Sequence, residues 1–131
     1  MEPPKNVAIH DDPASTWWID EDGILNSIGK KDPPQLTKEQ EEEQLKKFKE
    51  LVGNKKMCML LDITYAKPSK REDRDRAAVE LEKLVKAMAM VTTSPLSRMV
   101  ANLFFGLKPP SYPVKMFKEE KEAREWLKQY L

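Results

Sequence analysis

The sequence predicts a single α/β domain in which helices alternate with buried strands. Three observations carry that prediction. Two apolar runs, Met57–Asp62 and 87–91, are too short for globular helices and fit strands covered on both faces. Four other stretches repeat apolar residues at helical spacing. The junctions between them hold start and stop signals, of which Thr37, Ser94–Pro95 and Gly53 are the clearest.

Residues 1–6 read as a loose leader, and residues 1–15 together as leader and edge strand. Residues 7–10 and 16–19 are short strand candidates separated by the turn cluster Asp11-Asp12-Pro13. Asp20-Glu21-Asp22-Gly23 is a tighter turn, and residues 24–28 complete a hairpin with the Trp17-Trp18 strand. Thr37 and Gln40 form a capping-box pattern that opens the first helix. Its expected apolar face is Leu45, Phe48, Leu51 and Val52. Glu42/Lys46 and Glu43/Lys47 have the spacing of exposed pairs, each contributing about 0.2–0.5 kcal/mol. The Glu41-Glu42-Glu43 run is read as a solvated face, with an acidic binding surface as the alternative.

After the Met57–Asp62 strand, Ser69-Lys70-Arg71-Glu72 reads as a second capping box. The helix it opens points Ala77, Ala78, Leu81, Leu84 and Val85 inward. A strand over 86–91 follows, and then the central helix. There Ser94 is the cap and Pro95 the first helical residue, with Leu96, Met99, Val100, Leu103, Phe104 and Leu107 forming the expected core face and Gly106 the stop. A rigid loop, Pro109-Pro110-Ser111-Tyr112-Pro113, leads to a strand over 114–117. The last helix, from about Glu119, is expected to bury Ala123, Trp126, Leu127, Tyr130 and Leu131 and to carry an exposed Glu120/Arg124 pair. Strand–helix alternation with short connections implies parallel neighbours and right-handed crossovers.

With 131 residues and no repeat or low-complexity tract, the chain is one domain. It is long enough to bury about two-thirds of its unfolded surface. The formal net charge is +1, which recommends neither nucleic acid nor an anionic membrane as partner. Cys58 is the single cysteine, so no internal disulfide exists. No charged-then-apolar signal opens the chain, and the longest apolar stretch carries Arg98, Asn102 and four hydroxyl residues. A cytoplasmic location is expected.

The residues offer little chemistry. His10 and Cys58 are alone of their kinds, so no structural zinc set exists and no metal is expected. There is no Gly-x-Ser-x-Gly elbow, and four scattered glycines exclude a dinucleotide fingerprint or phosphate loop. No cofactor is expected, and no catalytic residue is assigned. Asp62 is the one carboxylate at the end of an apolar strand, where it either caps the local turn or has a functional role. Cys58 reads as a small buried residue.

Three features remain open. Ser94, Ser97 and Arg98 at a helix start offer N–H groups, hydroxyls and a guanidinium that could hold an anion; the alternative is a simple cap beside a surface arginine. Ser69, at a helix start among basic side chains, suits a phosphate, or is ordinary solvated surface. Phe105 and Tyr112, together with Met99 or Leu103, are either an exposed apolar patch for a partner or second copy, or extra core beneath the rigid loop.

The order of elements and several strings resemble the STAS-like (SpoIIAA-like) domains, the fold of anti-sigma-factor antagonists and sulfate-transporter tails. The chain looks most like a small stand-alone bacterial branch of uncharacterised members. The strings are Trp18-Ile19-Asp20-Glu21-Asp22-Gly23-Ile24, Leu60-Leu61-Asp62-Ile63, Ser94-Pro95-Leu96-Ser97-Arg98, Asn102-Leu103-Phe104-Phe105-Gly106-Leu107 and Tyr112-Pro113-Val114-Lys115-Met116-Phe117. The resemblance implies a β/α superhelix with a central mixed sheet of five to six strands and four helices. It also implies non-enzymatic work by binding a protein partner, a second copy or a small ligand. In antagonists the switch is a serine within Asp-Ser-Ser-Gly; Ser69 holds the comparable helix start without that Asp or Gly. The leading expectation is a regulatory protein-binding module that works as a dimer. The alternative is a carrier of an anionic or lipid-like metabolite, with its site at the N-terminus of the 95–106 helix.

Overall fold

The computed structural model describes residues 1–106 and 109–131. Six strands, β1 (His10–Asp11), β2 (Ser15–Ile19), β3 (Leu25–Gly29), β4 (Met57–Asp62), β5 (Val85–Val91) and β6 (Val114–Phe117), lie in one sheet in sequence order. β1, β2 and β3 run antiparallel; β3 to β6 run parallel. The helices are α1 (Lys38–Val52), α2 (Arg71–Leu84), α3 (Pro95–Gly106) and α4 (Glu120–Leu127), with a 3-10 turn over Lys128–Tyr130. This is the mixed α/β architecture expected from the alternation.

Crossovers that advance strand by strand in one direction put their helices on one face. The packing agrees. Phe48 of α1, Leu81 and Leu84 of α2 and Ala101 of α3 join Trp17, Met59, Met88 and Met90 in one core cluster. The other face carries Ile24, Cys58, Leu60, Ala87, Ala89 and Val91, covered by Ala123 and Leu127 of α4. Alternate strand residues thus serve two cores, which is why β4 and β5 read as unbroken apolar runs. Alanines opposite Ala123 leave room for α4 to lie against the sheet. A bulge sets this pattern: Met57 lies opposite Val85 but Cys58 opposite Ala87, leaving Lys86 as the extra residue. Val85 and Met88 therefore share the helix-covered side.

Local signals held at several points. Thr37 accepts from the Gln40 N–H while the Gln40 side chain accepts from the Thr37 N–H, closing the capping box of α1. Gly53 ends that helix at φ 69°, a left-handed conformation that favours glycine. Ser94 Oγ accepts from the Ser97 N–H at 3.2 Å, and Pro95 is the first residue of α3.

Other expectations are corrected. The first strand is His10–Asp11 and not residues 7–10, which pair with β2 only at His10; it ends where Asp12 leaves the ladder to accept from Trp17 Nε1 at 2.7 Å and Pro13 follows. The leader is tied down: Met1 packs in the α4-side core, its ammonium lies 3.8 Å from Asp62, and Asn6 donates to Glu21. Ser69 is not a cap. α2 starts one position later, with Lys70 at the N-cap and no side-chain capping bond, because the Ser69 carbonyl is taken by the Arg74 guanidinium. Val85 belongs to β5. Leu51 and Leu131 are more than half exposed. Glu120/Arg124 belongs to a part-buried network.

The largest correction concerns α3. Leu96, Met99 and Leu103 are 60%, 54% and 61% exposed, while Ser97 and Ala101 are buried. Small residues face inward, Ala101 packing into the cluster of Met59, Met88 and Met90, and part of the bulky stripe faces out. Leu107 lies outside the described residues.

Candidate functional site

β4 ends at Asp62, whose Oδ1 accepts from the Thr64 N–H (3.0 Å) and hydroxyl (2.6 Å). The carboxylate thus shapes the local turn, as its simpler reading expected. The Thr64 carbonyl in turn accepts from the Ser97 hydroxyl at 2.7 Å, pinning this loop to the first turn of α3. From there the chain swings outward through Lys67 and Ser69 before α2 begins. Between α2, α3 and the C-terminal halves of β4 and β5 this leaves a cleft of about 350 Å³.

The cleft is apolar inside. Leu61, Met88 and Met90 form its floor; Leu81, Ala101 and Phe105 belong to its walls. Lys67, Ser69 and Arg74 are its polar lining, and no carboxylate lines it among the described residues. Lys67 pairs with exposed Asp32 at 3.1 Å, and half-buried Arg74 is anchored on the Ser69 carbonyl. A pocket of this size, apolar with a few convergent polar groups, has the make-up of small-molecule sites, which span about 300–1,000 Å³.

The sequence-selected residues fall in three places. Ser69 lines the cleft. Ser94, Ser97 and Arg98 share the first turn of α3 but do not line it. Ser94 is occupied as cap, the Ser97 hydroxyl is spent on Thr64, and Arg98 is exposed. Tyr112, at 8% exposure, is core, whereas Phe105 packs partly buried against that core from the cleft wall, so the two do not form an exposed patch. Glu82 holds that loop by accepting from the Ser111 N–H and hydroxyl. Burial pushes the Tyr112 phenol up to about 12 and also raises the Cys58 thiol. His10 stacks on Trp17 with ring centroids 4.1 Å apart. Among the described residues no group of three or more His, Cys, Asp or Glu could hold a metal, and no helix is long and apolar enough to cross a membrane.

One polar cluster escaped the sequence. Arg124 of α4 donates to Asp20 Oδ2 (2.9 Å), Asn26 Oδ1 (2.7 Å) and Glu120 Oε1 (2.9 Å). Asn26 is fully buried and donates to Asp20 and to the Ile24 carbonyl. Burial alone would raise the Asp20 carboxyl, but bonds from Asn26, the Ile24 N–H and Arg124 hold it below its ordinary value. Burial likewise disfavours the charge on Arg124, and Glu120 and Asp20 outweigh it. All members are satisfied, so the cluster reads as a clamp joining α4 to the β2–β3 hairpin. The available signal was Asn26 itself, an amide directly after the apolar pair Ile24 and Leu25, both buried.

The mixed six-stranded sheet, with three crossover helices on one face and α4 on the other, has the SpoIIAA-like fold. The match to a solved structure agrees: an uncharacterised protein of the DUF3478 family from Shewanella loihica PV-4, described as having a SpoIIAA-like fold, superposes with a TM-score of 0.53. The two are 19% identical, over 97% of this chain and 98% of that one. A protein of unknown function from Arthrobacter sp. FB24 is 26% identical over 86% of this chain and 97% of its own, at a TM-score of 0.32. No curated protein matches the chain. Residues 17–131 match the family model "Domain of unknown function (DUF7793)", and the chain belongs to that family.

Proposed function

We propose that this chain is a non-enzymatic binding module whose site is the cleft between α2 and α3, and that its ligand is an amphipathic anion. The observation that carries this reading is the composition of the cleft: hydrophobic floor and walls, with Lys67 and Arg74 as its only charged lining among the described residues. An apolar body desolvates inside, and an acidic head meets the two cations. This moves the ligand reading from the first turn of α3 to the gap beside its second half. A cytoplasmic, bacterial setting belongs to the same proposal.

The test is thermal unfolding with dodecanoate, below its micelle concentration, as probe. The expected result is an upshift that Arg74→Gln weakens and Ala101→Phe, which fills the cleft, abolishes. An equal upshift in all three proteins refutes the assignment. If Ala101→Phe fails to fold, Leu81→Phe fills the same space from α2.

A second reading, a regulatory partner module or homodimer, is supported by the outward stripe Leu96, Met99 and Leu103. Light scattering on Met99→Glu distinguishes it: a dimer that becomes monomeric supports it, and a native chain already monomeric at high concentration argues against the homodimer.

A further inference from the structure

A second cavity, of about 320 Å³, opens at the opposite end of β4 and β5, where these strands begin. Its apolar walls include Leu51, Met57, Tyr130 and Leu131. Leu51 and Leu131 are the residues that the helical pattern assigned to the core and the structure left exposed. Their exposed surface lines a second concavity.

The charged residues lining this cavity are all of one sign. Lys55 and Lys56 come from the α1–β4 connection and Lys86 from the start of β5, and no carboxylate side chain lines it among the described residues. Over the whole chain, 23 Lys and Arg stand against 22 Asp and Glu, so three lysines lining one cavity without a carboxylate side chain depart from the average surface. None of the three makes a salt bridge among the described residues. Glu82, the carboxylate felt by Lys56, is already bonded to the Ser111 N–H and hydroxyl. Lys86 is also the extra residue of the β4–β5 bulge. Bulges re-aim side chains, and this one keeps Lys86 exposed at the cavity between the buried Val85 and Ala87.

We propose that this cavity binds a small phosphomonoester with an aromatic or other apolar body. Three ammonium groups suit a dianionic phosphate, each acting as a point charge that adapts to its oxygens. The leucines and the Tyr130 ring cover the body. The site is separate from the α2–α3 cleft in place and in lining, so it stands whether or not that cleft binds a ligand.

The experiment is a ¹H–¹⁵N chemical-shift titration of the full chain with phenyl phosphate. Saturable shifts at Lys55, Lys56, Lys86 and Tyr130 are expected. Lys86→Gln should weaken binding by about tenfold or more, the scale of losing one charge-assisted contact. The pair Lys55→Gln and Lys56→Gln, both on an exposed connection, provides a second route to the same loss. Ala101→Phe should leave this binding unchanged, which separates its failure from that of the cleft assignment. Shifts that never saturate, that map to α3 and leave Lys55, Lys56, Lys86 and Tyr130 unmoved, or that survive all three lysine substitutions overturn the proposal.

Discussion

Replacing Arg124 by methionine keeps the apolar stem of the side chain and deletes its guanidinium. The fully buried Asn26 Oδ1 then loses its donor, and Asp20 loses a cation while keeping bonds from Asn26 and from the Asp22 and Ile24 N–H groups. An unsatisfied buried acceptor costs about 1–3 kcal/mol, and a lost charge-assisted bond falls in a similar range. Glu120 is more than a third exposed and is discounted for solvent screening. The expected loss is therefore about 2–4 kcal/mol. With an unfolding entropy of about 2.1 cal/mol/K per residue, this lowers the midpoint of a 131-residue domain by about 7–14 °C. Urea unfolding followed by tryptophan fluorescence should show an earlier midpoint at an unchanged slope. Acid adds a second readout. The Asp20 carboxyl titrates lower in the folded chain than its ordinary 3.8, so the unfolded chain binds more protons in that range. Its contribution is complete above the ordinary value and disappears as pH falls through the lower folded one. Arg124→Met should flatten that acid dependence. A loss below about 1 kcal/mol, with the acid limb unaltered, would mean that water replaces the guanidinium and that the clamp is dispensable.

Two further outcomes test the fold. Leu96→Ser and Met99→Ser should each alter stability by no more than about 0.5 kcal/mol, whereas Ser97→Val should cost about 1–3 kcal/mol by stranding the Thr64 carbonyl; a reversal would mean that α3 is rotated about its axis. Tyr112 should ionise near pH 12 in an ultraviolet titration, and only in the folded chain. Because its folded pKa is raised, the stability linked to it is full below pH 10 and lost as pH climbs from 10 to 12. Tyr112→Phe should remove both that spectral step and that loss.

The sequence made the fold legible because its signals were local. The capping box at Thr37, the cap at Ser94 and the apolar runs of β4 and β5 depend on a few neighbouring residues. What it hid depends on what lies opposite. Helical spacing marks a stripe on α3, but contacts across the fold accompany the inward turn: the Thr64 carbonyl for Ser97 and the sheet's methionines for Ala101. The cleft between α2 and α3 follows from a carbonyl at Thr64 and a hydroxyl 33 residues later. The clamp spans 104 residues from Asp20 to Arg124. Ser69 is instructive in the other direction: its pattern was right for a cap, yet a guanidinium one turn away claims its carbonyl and the helix starts without it.

The two borders of the sheet have a consequence for self-association. β1 has two residues and β6 four, so each offers few unpaired main-chain groups to a neighbouring molecule. Pro13 follows the first, and Pro109, Pro110 and Pro113 precede the second, each lacking the donor that a growing ribbon would need. Lys115 adds an exposed charge along β6. Copies of this chain are thereby discouraged from stacking border to border into fibrils.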